Sequence, residues 1–247
     1  GRWRGIQSRD HRCPMTDRLY YSDSYARSFD AHVVESLDDG RKVYLNRTAF
    51  YPESGGQPSD AGLLGGIPLL DVVDEGERIA HLLAAPLSAV DVRGEVDWAR
   101  RYDHMQQHTG QHLLSSVLDE LFAFKTLSFH MGPEVSTIEL GATAITPQQV
   151  QHAEMRCAEI AAAAVPVGVT LEDADTVSGL RKASQRTGTL RIVSIGEQDR
   201  SACGGTHVRT SAEVAPILIR KMDKVRGNVR IEFVCGGRAV RRAKLDF

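Results

Sequence analysis

The sequence predicts an α+β protein in which a small β-rich domain at residues 15–98 precedes a domain of mixed helices and strands at residues 99–247. Short β-like segments separated by glycine-rich turns fill the first part, a pattern typical of a small barrel or sandwich. Near Trp98 the apolar residues change to a helical period, and helices and strands follow in mixed order from there. This order favours the α+β class.

Residues 1–14 do not fit this pattern. They are polar, contain four arginines and show no hydrophobic period. A stretch that reads like a native start follows at Met15. We therefore interpret residues 1–14 as a disordered extension or an artefact.

Three segments of the first domain have the residue pattern of strands. They are His32–Glu35, Lys42–Leu45 and Leu69–Val73. Glycine marks the connections, with a predicted turn at residues 38–40 and glycine pairs at residues 55–56 and 65–66.

The second domain is predicted to begin with two helices. An apolar stripe from Tyr102 to Phe124 indicates the first. The second starts at Thr146, a cap residue followed by proline in the first turn, and runs to about Ala164. Four predicted strands follow, at Val167–Leu171, Leu190–Ile195, Ala215–Lys221 and Val229–Val234.

Composition and charge narrow the functional class. With 42% apolar and 25% charged residues, the 247-residue chain is expected to be a soluble globular protein without a membrane-spanning run. The four cysteines show no disulfide spacing, so we expect a reducing, cytoplasmic location. The net charge of −2 argues weakly against a nucleic-acid partner. However, nine basic and three acidic residues follow Ile217, which indicates either a phosphate-facing surface or a solvated basic segment.

Three histidines, His104, His108 and His112, recur every four residues and therefore share one face of the first predicted helix. A pair at this spacing places two imidazoles on one metal ion. Spacing alone leaves open which two of the three bind. A polar helix face with accidental histidines is the alternative.

A second motif, at residues 201–207, puts Cys203 and His207 four residues apart with two glycines between them. The glycines let the backbone bend so that both side chains face one point. Sulfur with imidazole suits zinc better than calcium or magnesium. The motif and the helix together make a complete ligand set for one Zn²⁺ per chain.

The other residues near these motifs exclude one competing class. A zinc protease helix needs a glutamate beside its first histidine, and this sequence has Thr109 there. Cys13 and Cys157 have no ligand-like neighbours. Cys235 follows a predicted strand and is interpreted as a buried small residue.

Four blocks of the sequence resemble the editing domain of alanyl-tRNA synthetase and its free-standing relatives, the AlaX trans-editing proteins. The blocks are residues 50–58 (FYPESGGQP), 108–114 (HTGQHLL), 203–207 (CGGTH) and 227–233 (GNVRIEF). They occur in the family's order and cover roughly residues 20–242.

The resemblance implies that His108, His112, Cys203 and His207 are the zinc ligands, with His104 outside the motif. It implies a glycine-rich β-barrel-like N-terminal domain and a two-layer α+β editing domain of the alanyl/threonyl-tRNA synthetase type. It further implies an ATP-independent hydrolase that deacylates mischarged tRNA(Ala), chiefly seryl-tRNA(Ala) and secondarily glycyl-tRNA(Ala). No adenylate-forming domain precedes the blocks, so we expect no charging of tRNA.

Substrate recognition is assigned to two further groups. Alanine-sized sites reject serine poorly, so a serine-selective site needs polar groups that pair with its hydroxyl. The candidates for this role are Thr109, Gln111 and Ser128. Thr109 could instead cap a local backbone group. The resemblance associates Gly55, Gly56 and Gln57 with rejecting alanyl-tRNA or shaping the site; a tight turn explains the two glycines almost as well, but leaves Gln57 unexplained.

Two alternatives remain open at this point. Four protein ligands close a tetrahedron, and closed zinc sites are usually structural, so the first is a non-catalytic tRNA-binding module. The second is the editing fragment of a longer alanyl-tRNA synthetase-like protein, because a helical pattern from Arg238 reaches the last residue without a stop signal. The expected partner is tRNA(Ala) carrying a wrong amino acid, with no membrane; the oligomeric state is undecided.

Overall fold

A computed structural model describes residues 15–245 of this chain. Within that range the chain forms a closed six-stranded barrel, sheets of two, three and four strands, and three α-helices. The α+β class is therefore confirmed. The interpretation of residues 1–14, including Cys13, lies outside the described residues.

The first part of the chain forms a barrel and not a sandwich, the two architectures that the sequence left open. Its strands are β2 (Ser28–Leu37), β3 (Lys42–Leu45), β5 (Gly62–Leu64), β6 (Ile67–Asp74), β7 (Ile79–Leu83) and β8 (Asp91–Val96). They close in the order β2-β3-β7-β6-β5-β8. Two short strands outside the barrel, β1 (Asp17–Arg18) and β4 (Arg47–Thr48), pair in parallel. The three predicted strands lie in β2, β3 and β6, whereas β5, β7 and β8 were not predicted, because each is short or carries several polar residues.

Helix α1 (Trp98–Phe122) connects the barrel to the rest of the molecule. It begins four residues before the predicted start, because the Asp97 side chain accepts a hydrogen bond from the Arg100 backbone N–H and caps the first turn. The helix ends at Phe122, and the cap residue Ala123 that follows has a left-handed φ of 56°. Nearly every residue from Arg101 to Leu118 is buried, so this helix runs through the interior rather than over the surface.

Two antiparallel sheets and two further helices form the second part. The elements are β9 (Thr126–Met131), β10 (Ser136–Leu140), α2 (Pro147–Ala162), β11 (Val167–Asp173), β12 (Thr189–Ile195), β13 (Asp199–Ala202), β14 (Ile217–Val225), β15 (Asn228–Cys235) and α3 (Gly236–Ala243). The four-stranded sheet has the order β14-β15-β10-β9, and the three-stranded sheet has the order β11-β12-β13. Thr146 and Gln149 form the capping box that starts α2.

The differences from the predicted elements have physical causes. β9, β10 and β13 were not predicted, because polar residues interrupt their apolar alternation. β14 starts two residues later than predicted, after Pro216. In residues 15–245 no helix is long and apolar enough to span a lipid bilayer.

The barrel and the second part of the chain each have an apolar core. One fills the barrel around Leu45, Phe50 and Ile79. The other lies between α1, α2 and the four-stranded sheet, around Leu114 and Phe233. Helix α1 therefore stands between the barrel and the sheets, where its side chains can meet loops from both.

A buried ion pair fixes α1 to the barrel. The guanidinium of Arg101 contacts the carboxylate of Asp60, and both side chains are fully enclosed. Arg101 Nη1 also donates to the Ser24 carbonyl at 2.9 Å, and Asp60 Oδ2 accepts from the Tyr51 N–H at 2.7 Å. The pair thus satisfies backbone groups of two segments, at Ser24 and at Tyr51, the second of which leads into the glycine-rich turn.

Candidate metal centre

The four predicted ligands come together at one point. His108 and His112 lie on α1, and Cys203 and His207 lie on the loop that follows β13. Their potential ligand atoms are all within 4.8 Å of one another. The Cys203 sulfur is 3.5 Å from His108 Nε2 and 3.4 Å from His207 Nε2.

These spacings fit a zinc ion. Zinc bonds of about 2.3 Å to sulfur and about 2.0–2.1 Å to nitrogen, at a tetrahedral angle, place sulfur and nitrogen about 3.6 Å apart. The two measured sulfur–nitrogen distances are close to that value. The donor set of one thiolate and three imidazoles is also one that zinc takes. The four side chains therefore could hold this metal.

Each imidazole of the cluster is held from behind through its Nδ1 atom. His108 Nδ1 is 2.8 Å from Gln57 Oε1, His112 Nδ1 is 2.8 Å from Asp199 Oδ2, and His207 Nδ1 is 3.0 Å from Thr109 Oγ1. A ring nitrogen that donates to an oxygen carries the proton, so the other nitrogen keeps its lone pair. These three contacts turn the Nε2 atoms toward the centre of the cluster.

The loop that carries Cys203 is fixed by the buried side chain of Arg191. Its Nη1 donates to the carbonyls of Cys203 at 2.8 Å and Gly205 at 2.9 Å. The backbone N–H of Gly205 points at the Cys203 sulfur, at 3.3 Å. A Cβ at position 205 would overlap the His108 ring, which explains the second glycine of the motif.

The electrostatics of the cluster favour a thiolate. Burial raises the pKa of Cys203, but the nearby His108 and His207 outweigh it and bring that pKa well below the usual value. Burial also lowers the pKa of His112, yet its hydrogen bonds with Asp199 and Cys203 raise that pKa to about 9. For His207, burial lowers the pKa to about 3, so this ring is neutral. Thiolate and neutral imidazole are the forms that bind zinc, so Cys203 and His207 already have the binding form, whereas His112 would release its proton when a metal binds.

His104 does not join the cluster. It lies one turn before His108 on α1, and it is buried. Burial, together with the charge of Arg100, lowers its pKa to about 4. Cys157 and Cys235 are also buried and outside the cluster, and burial raises the pKa of both thiols.

A cavity of about 300 Å³ opens over the cluster. His108, His112 and Cys203 lie in its wall, and Cys203 is partly exposed. Of the six residues predicted to contact substrate, Gly55, Gln111 and Ser128 also line this cavity. Gln111 donates through Nε2 to Ser115 Oγ at 2.8 Å, which orients its amide.

The other three of these residues lie behind the clustered side chains, which favours the alternative roles that the sequence left open for them. Thr109 is fully buried, and its hydroxyl contacts His207 Nδ1 and the Val208 N–H rather than the cavity. Gln57 is also fully buried, and its Nε2 donates to Thr206 Oγ1 at 2.9 Å. Gly56 has a φ of 84° and packs against the Phe129 backbone, where a side chain would clash. This geometry favours a role for Thr109 and Gln57 in positioning the proposed ligands, and a role for Gly56 in the turn.

Sequence reasoning missed several residues of the site. Asp199 and Arg191 contact a ligand or its loop, but neither belongs to a recognisable spacing. Arg181 donates through Nε to Asp199 Oδ1 at 2.6 Å and lines the cavity. The proximity of Asp199 to Cys203 in sequence was the only available signal, and a lone carboxylate does not specify such a role.

The contact between Gln57 and His108 leads to a first testable prediction. Gln57→Met keeps the length of the side chain but removes the oxygen that orients the His108 ring. We expect zinc affinity to fall by about 10- to 100-fold, as for other groups that support metal ligands. Competition with a chromophoric chelator measures this affinity.

The matched control for this change is Gln151→Met. Gln151 is exposed on α2, and its substitution is expected to leave zinc affinity unchanged. Equal zinc affinities for Gln57→Met and the unaltered protein would show that Gln57 does not support His108.

Comparison with known proteins adds independent information. Residues 190–232 match the family model described as the threonyl and alanyl tRNA synthetase second additional domain. The chain is 37% identical over 209 residues to the alanyl-tRNA editing protein Aarsd1-B of Xenopus laevis. It is 36% identical over 241 residues to the alanyl-tRNA editing protein AlaX-L of Pyrococcus horikoshii. It is also 32% identical over 244 residues to an alanine–tRNA ligase of Metallosphaera sedula.

The extent of these matches differs between the chain and its relatives. The matches cover 82% of this chain for the Xenopus protein and 92% for the Pyrococcus protein. The same matches cover 51% and 59% of the relatives' own lengths, and 26% of the ligase. The chain thus spans a little over half the length of the editing proteins that it matches.

Proposed function

We propose that this chain, which is similar over most of its length to alanyl-tRNA editing proteins, belongs to their family and is an aminoacyl-tRNA deacylase acting on mischarged tRNA(Ala). The bond that it cleaves is the ester between the amino acid and the terminal ribose. Serine is the main amino acid removed, and glycine is a second one.

The observation that carries this proposal is the position of the ligand cluster in the wall of an open cavity. A purely structural zinc site is typically closed to solvent, with all its ligands enclosed. Here three of the four side chains line a cavity of about 300 Å³, and Cys203 is partly exposed. A small substrate group that enters this cavity reaches the cluster directly.

The ligand set fits Zn²⁺, held by His108, His112, Cys203 and His207. A zinc ion there would supply Lewis-acid polarisation of an ester carbonyl or a bound water with a pKa of about 7. The protein's own contribution is to hold the ligands still. Gln57, Asp199 and Thr109 fix the three rings, so a substrate ester meets a preorganised site.

Discrimination against alanine is assigned to polar groups in the cavity wall. Gln111 and Ser128 both line the cavity, and the structure shows no hydrogen bond for the Ser128 hydroxyl in the described residues. A serine hydroxyl can pair with such groups and an alanine methyl cannot, a difference of about 0.5–1.5 kcal/mol, because the exposed Ser128 hydroxyl keeps water as a partner when alanine is bound. This difference separates serine from alanine by about 2- to 12-fold.

A deacylation assay tests the proposed function. The protein is mixed with tRNA(Ala) carrying radiolabelled serine, glycine or alanine, and acid-precipitable counts are followed. We expect rapid loss of serine, loss of glycine and slow loss of alanine. Removal of the metal with dipicolinate should abolish the loss of serine, and Zn²⁺ should restore it.

The same assay separates the main rival, a tRNA-binding module with a structural zinc. That rival has one observation in its favour, since four protein ligands complete a tetrahedron. It predicts that all three esters stay intact in the presence of saturating protein. It also predicts that chelation unfolds the protein, which circular dichroism would detect.

A further inference from the structure

A long loop joins two strands that need no long connection. β11 and β12 pair along their whole length, from Val167 opposite Ile195 to Asp173 opposite Thr189. The Ala174 N–H donates to the Gly188 carbonyl at 2.8 Å, which closes the base of the loop. A tight turn would therefore complete this hairpin. Loops beyond about 12–15 residues are uncommon and are often functional, so the loop at residues 174–188 requires an explanation.

This loop folds back over the cavity and is basic where it does so. Arg181, Lys182 and Arg186 all line the cavity, and residues 176–187 contain no acidic side chain. The Arg181 N–H donates to the Arg200 carbonyl at 2.8 Å, and its side chain binds Asp199, so the loop is attached beside the ligand cluster. Its charges consequently face the entrance.

Two of these charges remain available to a ligand. Lys182 and Arg186 are exposed, and neither forms an ion pair within residues 15–245. Arg186 acts electrostatically on Asp74, but the Asp74 carboxylate is already bound by Arg18 at 2.6 Å. By contrast, Arg181 is committed to Asp199.

An exposed aromatic ring stands beside the same entrance. Tyr21 is exposed, and its hydroxyl lies 3.7 Å from the position that a Cβ of Gly204 would occupy. Gly204 is part of the cavity wall. The Tyr21 ring makes an edge contact with Tyr20, with ring centroids 5.0 Å apart, and the guanidinium of Arg191 lies 5.5 Å from its centre.

We propose that Lys182, Arg186 and Tyr21 hold the single-stranded 3′ end of the tRNA at this entrance. Lys182 and Arg186 contact the phosphates of the last nucleotides, and Tyr21 stacks on a base next to the aminoacyl ribose. Positive side chains that follow the backbone, combined with an aromatic platform, are the general means of holding single-stranded nucleic acid. The inference rests on the proposed function, because an ester seated in the cavity brings the preceding phosphates to its mouth.

Binding of an uncharged oligonucleotide tests the inference without any hydrolysis. The probe is a fluorescein-labelled single-stranded RNA ending in ACCA, and fluorescence anisotropy gives its Kd over a series of KCl concentrations. We expect the Lys182→Gln, Arg186→Gln double variant to bind at least about tenfold more weakly. The plot of log association constant against log salt concentration should become shallower, with a slope smaller in magnitude by about 1.4, because each lost phosphate contact removes about 0.7 for single strands. Tyr21→Leu should weaken binding about 5- to 100-fold without changing the slope.

The matched control is Arg41→Gln, Arg93→Gln, which removes the same charge from exposed positions on the barrel that do not line the cavity. It should bind the oligonucleotide as the unaltered protein does. The inference is overturned if the unaltered protein does not bind, if the loop variant keeps its affinity and slope, or if only the control variant loses affinity. Zinc content and far-ultraviolet circular dichroism confirm that each variant folds.

The result of this experiment can be told apart from the result of the deacylation assay. If the protein binds the oligonucleotide as described but leaves seryl-tRNA(Ala) intact, the binding site stands and the proposed deacylase activity is rejected. If the protein deacylates seryl-tRNA(Ala) but the loop variant binds the oligonucleotide normally, only the inference about the 3′ end is rejected.

Discussion

Cys203→Ala is expected to remove most of the zinc and to lower kcat/KM for seryl-tRNA(Ala) by about 1,000-fold or more. The thiolate is the only sulfur among the four clustered side chains, and it lies 3.4–3.5 Å from two ring nitrogens. Zinc binding to four-ligand sites is worth about 10–16 kcal/mol, so an average ligand contributes about 3–4 kcal/mol, or about 100- to 1,000-fold in affinity. Elemental analysis gives the zinc content, and the deacylation assay gives the rate.

A matched cysteine controls for the loss of a thiol as such. Cys157 lies on α2 and is buried in the apolar core that α2 shares with α1, away from the cluster. Cys157→Ala should keep one zinc per chain and the full rate, with a modest loss of stability. If zinc-depleted Cys203→Ala deacylates seryl-tRNA(Ala) at the normal rate, zinc has no part in the reaction.

Among these single substitutions, Asp60→Ala is expected to lower the free energy of unfolding most, by about 3–5 kcal/mol. The substitution leaves the Arg101 guanidinium enclosed without its counter-charge. It also removes the acceptor of the Tyr51 backbone N–H. Because these groups join α1 to the barrel, the effect is expected throughout the molecule. Urea unfolding monitored by circular dichroism measures it.

Two control variants test whether the loss of stability comes from the buried, unpaired charge. Asp30→Ala removes a carboxylate from a pair with Arg93 that is largely exposed, and should cost no more than about 1 kcal/mol. The double variant Asp60→Leu, Arg101→Met removes both charges and should recover much of the lost stability, because no buried charge remains unpaired. Similar unfolding free energies for Asp60→Ala and Asp30→Ala would contradict a structural role for the buried pair.

The sequence predicts the four clustered side chains better than it predicts the groups that hold them. His108 and His112 are separated by one helical turn, and Cys203 and His207 belong to one short motif, so local spacing brings each pair together. The groups behind them come from separate segments. Gln57 lies on the glycine-rich turn after β4, Thr109 on α1, and Asp199 at the start of β13. Their meeting depends on how the barrel, helix and sheet pack, which no local pattern encodes.

A similar limit explains the elements that were not predicted. The apolar stripe of α1 and the capping box of α2 are local signals, and both helices occur. Strands β9 and β10 depend on pairing with each other and with β15, since polar residues break their alternation. The division at residue 98 stays a prediction, and α1 starts at that residue.

The reassignment of Thr109 illustrates how burial changes a functional interpretation. A threonine between two metal-binding histidines is a reasonable partner for a substrate hydroxyl, but a neighbour in sequence on a helix points about 100° away. The Thr109 hydroxyl consequently reaches His207 from behind the cluster. Gln111 and Ser128 are left as the predicted polar groups that line the cavity.

The central claim is that one zinc ion is bound by His108, His112, Cys203 and His207 in the wall of the substrate cavity. X-ray absorption at the zinc edge, on protein as purified and after binding of a non-hydrolysable seryl analogue of the tRNA 3′ end, tests this claim most directly. The account predicts one sulfur at about 2.3 Å and three nitrogens at about 2.0–2.1 Å in the free protein, with a changed shell when the analogue is bound. A shell without sulfur would contradict the ligand set, and an unchanged shell on binding would contradict a direct role for the metal in the reaction.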